Sequence, residues 1–136
     1  MNKGKKQSIN QVVSELCKSV PGLDAALLLD GDGTPLARVF PEEIIRDKTF
    51  NESLICAMTI KALKGTSWII EKLGKGSLDI MIAKGSEGVI FIREIDNISP
   101  EMVAPVRIVV LADTLIPIEL ALLHIEKVAR RIVSLI

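Results

Sequence analysis

The sequence predicts an α+β fold of the three-layer α/β sandwich type, with helices on both faces of a five-stranded antiparallel sheet and the element order α-β-β-α-β-β-β-α. Three observations carry this. Apolar residues recur at helical spacing in residues 8–20, in 51–73 and again from Pro117 onward. The stretches between them are short apolar or alternating runs bounded by Gly, Pro and Asp, which is how strands and their turns read. One of these, SLDIMIA followed by KGSEG and VIFIREI, spells a complete hairpin.

In the first helix, Ile9, Val12, Val13, Leu16, Cys17 and Val20 share one face, with Asn10, Gln11, Ser14, Glu15 and Lys18 opposite. Ser8 is the expected N-cap, and Pro21-Gly22 stops the helix. The basic segment MNKGKKQ ahead of it, residues 1–7, reads as a disordered tail preceding one domain over 8–136. The run DAALLLD at 24–30 is a buried strand. Gly31-Asp32-Gly33 turns the chain, since Asp-Gly tolerates the positive φ of a tight turn. TPLARVF at 34–40 returns beside it, and Pro35 assigns that strand to a sheet edge or makes it the strand's first residue.

A polar connector, 41–50, with room for one helical turn, leads to the helix Asn51–Leu73. Its apolar residues sweep about 180° of the helical wheel, where a helix resting on one core needs only about 100°. Such a helix is covered either by two neighbours within the chain or by its own sheet and a second protein copy. Gly65 inside it costs roughly 1 kcal/mol against alanine unless something approaches closely. Strands at 77–83 and 89–95 follow, then a loop from Asp96 to Pro105 longer than a hairpin needs. RIVVLA at 107–112 is apolar enough to be a central strand. The last helix gathers Ala121, Leu122, Ile125, Val128, Ala129, Ile132, Val133 and Ile136 on one face, with Glu119, Glu126, Lys127, Arg130 and Arg131 turned away.

The hydrophobic fraction is 49% with 3% aromatic residues and no tyrosine, so the core is aliphatic. The mean hydropathy of +0.39 is high for a small domain and fits either a greasy core or apolar surface hidden by association. Lys+Arg and Asp+Glu balance at 17 each, which gives no call for nucleic acid. No apolar run reaches the roughly eighteen residues of a membrane span, and a secretory leader is not apparent. The expected setting is cytoplasmic. Cys17 and Cys56, both on apolar helix faces, read as small core residues rather than a disulfide.

Chemical motifs are sparse. DGDGT at 30–34 invites a calcium loop, but Pro35 and Pro41 stand where that loop requires Gly and Glu. The glycines at 74, 76, 85 and 88 do not lead from a strand into a helix, so they form no phosphate loop. His124 is the only histidine and reads as a partly buried structural residue. No acidic pair converges. The expectation is therefore no catalytic residue, no metal and no cofactor. Trp68 falls on the polar side of its helix between Lys61 and Lys64, either as a lid over an aliphatic neighbour or as an interface anchor.

The order of elements, the opening VPGLDAALLLDGDGTPLA at 20–37, the hairpin LDIMIAKGSEGVIFI and the closing VVLAD…LALLHIEKVARRI together resemble the Roadblock/dynein light-chain family. The likeness covers residues 8–136 and places the fold with the profilin- and longin-like sandwiches. The loop 96–105 departs from the family pattern by its length. The resemblance implies a homodimer, or a heterodimer with a related Roadblock protein, in which the middle helices lie side by side and the third strands pair to continue the sheet. It also implies a non-catalytic scaffold or regulator, in some members an activator, of a small Ras-like GTPase.

On these residues the dimer interface is expected at Ile55, Thr59, Ala62, Gly65, Thr66, Leu78, Ile80 and Ile82, and partner contact at Lys61, Lys64, Trp68 and Lys72. Arg38, Arg46, Arg93 or Arg107 would be the arginines able to lend charge to GTP hydrolysis. A rival reading is a sensory module holding a small ligand between sheet and helix, for which Thr59 and Thr66 are the polar hints.

Overall fold

The computed structural model describes residues 3–96 and 105–135. Four helices and five strands follow in chain order: α1 (Lys3–Ser19), β1 (Leu23–Leu29), β2 (Pro35–Val39), α2 (Glu42–Ile45), α3 (Glu52–Lys72), β3 (Ile80–Lys84), β4 (Gly88–Ile95), β5 (Val106–Asp113) and α4 (Ile118–Leu135). The strands form one antiparallel sheet in the order β2-β1-β5-β4-β3. The expected fold class and element order are thus what the chain adopts, with α2 as the single turn for which the connector had room. Residues 97–104 of the loop singled out for its length lie outside the described residues.

The core divides by strand alternation. On β5, Val106, Ile108, Val110 and Ala112 point to one face, where they pack with Ile9, Val12, Val13 and Leu16 of α1 and with Ala121, Ile125, Ala129 and Ile132 of α4. Val109 points to the other face and meets Leu27, Leu29 and Ile92 under Cys56 and Leu63 of α3. Two helices cover the first face and one covers the second, so the second cluster is much the smaller. Phe91 is the one aromatic side chain among the largest fully buried residues, in keeping with an aliphatic core.

Some expected boundaries move. Helix α1 begins at Lys3, so residues 3–7 of the segment expected to be disordered extend the helix. Ser8 is therefore no N-cap: its hydroxyl lies within the helix and donates to the Gly4 carbonyl at 3.1 Å. Asn51 caps α3, its side-chain oxygen accepting from the Leu54 amide at 3.1 Å, which satisfies one of the helix's orphan donors. The β1–β2 turn is held by Asp30, whose Oδ1 accepts from the amides of Asp32 and Thr34, both at 2.9 Å. Gly33 is required there. Its φ is +84°, and an added Cβ would lie 3.0 Å from Ile60 of α3.

The third strand starts at Ile80 rather than Ser77. Leu78 precedes it and is buried, 3% exposed, in the cluster beneath α3. Within the strand, Met81 pairs with Ile92 and Ile82 with Phe91. Directly paired residues share a face, so Met81 lies on the α3 side and Ile80 and Ile82 on the α1/α4 side.

Candidate functional site

Helix α3 touches the sheet along a narrow line. Only Cys56 and Leu63 are buried, with Ile60 and Ile70 partly covered. Along its outward flank Leu54 is 56% exposed, Met58 53%, Ile69 53% and Leu73 70%. Scattered apolar residues on a surface are ordinary, but a row of large ones on one helix marks a contact surface. Gly65 lies in the same row, and a Cβ placed there would meet nothing within 4 Å. Among the described residues nothing packs against that glycine.

Between this flank and the sheet runs an open apolar groove of about 490 Å³. Leu54, Ile55, Met58, Thr59 and Ala62 form its helix wall, Ala25, Leu27, Ile90, Ile92, Val109 and Leu111 its floor, and Phe40, Ile44 and Phe50 close one end. Phe40 and Phe50 meet edge to face at 5.3 Å. The two hydroxyls in this region are already committed: Thr59 donates to the Ile55 carbonyl at 2.8 Å and Thr66 to the Met81 sulfur at 3.4 Å.

The residues expected at a dimer interface separate into groups. Ile55, Ala62 and Gly65 are exposed, and Thr59 and Thr66 are half-buried at the groove side of α3. Leu78 is a correction, since it is buried in the chain's own core and has no surface to offer. Ile80 and Ile82 sit on the edge strand, on the sheet face opposite α3, because the strand starts three residues late and Leu78 falls outside its alternation. The residues expected to meet a partner, Lys61, Lys64, Trp68 and Lys72, are all exposed. Trp68 is 61% exposed, with the Lys72 Nζ 5.8 Å from its ring.

Sequence reasoning passed over Leu54, Met58, Ile69 and Leu73 as interface residues, although all four lie on the same arc of the wheel. The groove's end wall was missed as well, and its signal was the wide spacing of Phe40, Ile44 and Phe50 through an otherwise polar connector.

The arginines are engaged within the chain. Arg107 is 6% exposed; it bonds Glu94 at 3.0 Å and donates to the Gly31 carbonyl at 3.1 Å. Arg93 pairs with Glu126 at 2.5 Å, and Arg46 with Glu42 at 2.9 Å. Arg38 bonds Glu52 at 2.6 Å, and that hydrogen bond, then the carboxylate's charge, raises its pKa. Burial first, then the Asp24 charge, pushes the Cys17 thiol up to about 11. Cys56 is also raised, by burial and then by Glu52. Neither thiol is poised as a nucleophile at neutral pH. Among the described residues no three His, Cys, Asp or Glu side chains are placed to hold a metal, and no helix is long and apolar enough to cross a membrane.

No family model matches the sequence, and a search of curated proteins finds no match either. Solved structures do match. MglB from Myxococcus xanthus superposes with a TM-score of 0.80 at 16% identity, over 100% of this chain and 96% of its own. A structure described as MglB with tetrameric arrangement gives 0.80 at 16% identity, over 99% and 92%. A Roadblock/LC7 domain from Streptomyces avermitilis gives 0.70 at 13% identity, over 90% and 92%. At such identities these likenesses establish the fold, which is that of the Roadblock/LC7 domain.

Proposed function

We propose that this chain, with its Roadblock/LC7 fold, is a dimeric scaffold or regulator of a small Ras-like GTPase and has no active site of its own. The observation that carries the dimer is the uncovered apolar row on α3, running past Gly65 and beside the open groove. A second copy of α3 laid along that row would cover Leu54, Ile55, Met58, Ala62 and Ile69, and its side chains would fill the groove. Gly65 would then let the two helix backbones approach, which turns its helix-propensity cost into closer packing. Strand β3 lies at the sheet edge, where its unpaired backbone is available to extend the sheet into the partner. The tetrameric arrangement described for one structural neighbour is consistent with a fold that self-associates.

The GTPase comes from the family likeness. Scaffold is favoured over activator because each of the four arginines considered for the transition state already bonds a carboxylate in its own chain. Arg107, buried, would have to leave the sheet to reach a nucleotide.

The small-ligand alternative finds a cavity of suitable size, yet the groove is open along one side and the hydroxyls beside it are internally bonded. A ligand site normally adds a few convergent polar groups to an apolar lining. A partner's aliphatic side chains suit this groove better.

Light scattering or sedimentation at micromolar protein tests the dimer, and a monodisperse monomer would refute it. Capture of purified Ras-like GTPases from the same genome, loaded with GTP or GDP, tests the partner. Failure of every candidate to bind in either state would refute the regulator and leave a self-associating domain.

A further inference from the structure

We propose that the outer flank of α3, where Trp68 stands among Lys61, Lys64, Lys72 and Lys75, docks on an anionic lipid surface. This goes beyond the dimer and the GTPase and does not depend on either. It begins from charge. The chain as a whole balances at 17 basic and 17 acidic residues, yet this flank gathers four exposed lysines, with Glu71 the one carboxylate among them. The ion pairs among the described residues are made by arginines, and these lysines take no part in them.

The kinds of side chain fit the same occupant. Lysine is a mobile point charge on a long stem and suits a diffuse layer of anions, whereas a bidentate site on a protein favours arginine. Tryptophan settles at the depth of lipid headgroups, its ring apolar and its N–H wet. Trp68 is 61% exposed, so the flank carries an apolar body beside its charges, as a helix lying in an interface does. Shape agrees as well. Neither the groove nor the polar hollow beside α3 takes in these lysines or Trp68, which stand exposed on the helix. From Lys61 to Lys72 the flank extends about 16 Å at the helical rise, and Lys75 follows just past the helix end. A flat anionic sheet can meet such a flank without a complementary pocket.

The test mixes the full-length protein with vesicles of phosphatidylcholine containing about 30% phosphatidylglycerol, and with phosphatidylcholine alone, at low and high salt. The expected result is co-sedimentation with the anionic vesicles, lost in high salt, with a blue shift in emission from Trp68, the single tryptophan of the chain. The variant K61Q/K64Q/K72Q, with a circular dichroism spectrum matching wild type, should partition roughly a hundredfold more weakly, at about fivefold per lysine. Lys127→Gln, on α4 across the sheet, should bind as wild type does. Absence of co-sedimentation at low salt would overturn the proposal, as would binding with an unshifted Trp68. Undiminished binding by the triple variant would overturn it too, assigning the attraction to lysines elsewhere, such as those at 3, 5 and 6. Should the triple variant lose a captured GTPase while wild type ignores vesicles, the flank contacts protein, and the lipid proposal falls while the GTPase reading stands.

Discussion

Glu94 lies directly opposite Arg107 in the β4–β5 ladder; on the α3 side Arg107 is buried and Glu94 largely covered, with the guanidinium reaching on to the Gly31 carbonyl in the β1–β2 turn. One arginine thus ties two central strands to the loop that follows a third. Removing one partner strands a buried charge. Arg107→Met should destabilise the fold by about 3–5 kcal/mol, whereas a well-packed double replacement such as R107M/E94L should recover most of that loss. Urea titration of the two variants checks it. Equal destabilisation by both would show that the pair's worth lies in its carbonyl contact rather than in charge.

Gly65 gives opposite signs for one chain and for two. Nothing lies within 4 Å of its would-be Cβ, so in a lone subunit Gly65→Ala should stabilise α3 by up to about 1 kcal/mol. If a second helix packs there, the same methyl group holds the helices apart and weakens association. Measuring the melting temperature at high and low protein concentration distinguishes the two cases. The dimer predicts a gain at low concentration that shrinks or reverses at high concentration.

Ala62 stands at the groove side of the same row, and Ala62→Glu should produce monomers by burying a charge in the proposed contact. The sedimentation coefficient reads the outcome. An unchanged dimer would move the interface elsewhere on the domain.

Leu63 and Ile69 are both aliphatic residues of α3 but differ in exposure, 1% against 53%. Leu63→Ala should cost about 2–4 kcal/mol by opening a cavity over the sheet. Ile69→Ala should cost little in dilute solution and reduce stability chiefly where the protein associates. Denaturation midpoints at two concentrations test both statements at once.

Cys17 predicts an alkaline limit to stability. Its folded pKa of about 11 lies above the ordinary thiol value of 9.0, so above pH 9 the unfolded chain gives up a proton that the folded chain retains. The sign follows by linkage: this contribution is complete below pH 9 and falls away as pH rises toward about 11. Cys17→Val should flatten the stability profile over that window, and thiol reagents should label the native protein slowly at neutral pH.

Much of the architecture was legible because two periodicities dominate the chain. The stripe Ile9, Val12, Val13, Leu16 marks α1 without ambiguity, and the hairpin through Lys84–Gly88 marks β3 and β4. The width of α3's apolar arc also announced that one sheet would not cover it, and Leu54 and Ile69, too far around the helix, are indeed exposed. What stayed hidden depends on register. Leu78 alternates perfectly with Ile80 and Ile82 in sequence, and only the late start of β3 sends it under α3 while they face the other way. The bond between Arg107 and Glu94 is likewise invisible locally, because it requires β4 and β5 to align across the intervening loop. Lysine and glycine between residues 3 and 7 carry no apolar stripe, so nothing there announced that α1 starts so early.

The strand at the middle of the sheet, β5, comes after the other four in the chain. As the protein is synthesised, β1–β2 and β3–β4 can each close as a local hairpin, but they acquire a common neighbour only when residues 106–113 arrive. An isolated hairpin is marginal in water, and long-range pairing is the slow step in such topologies. A nascent chain stopped before Val106 would hold two hairpins with nothing to join them, their apolar faces open to chaperones and to one another. The fold therefore closes from its edges inward, and the strand that joins its two hairpins is the last of the five to be made.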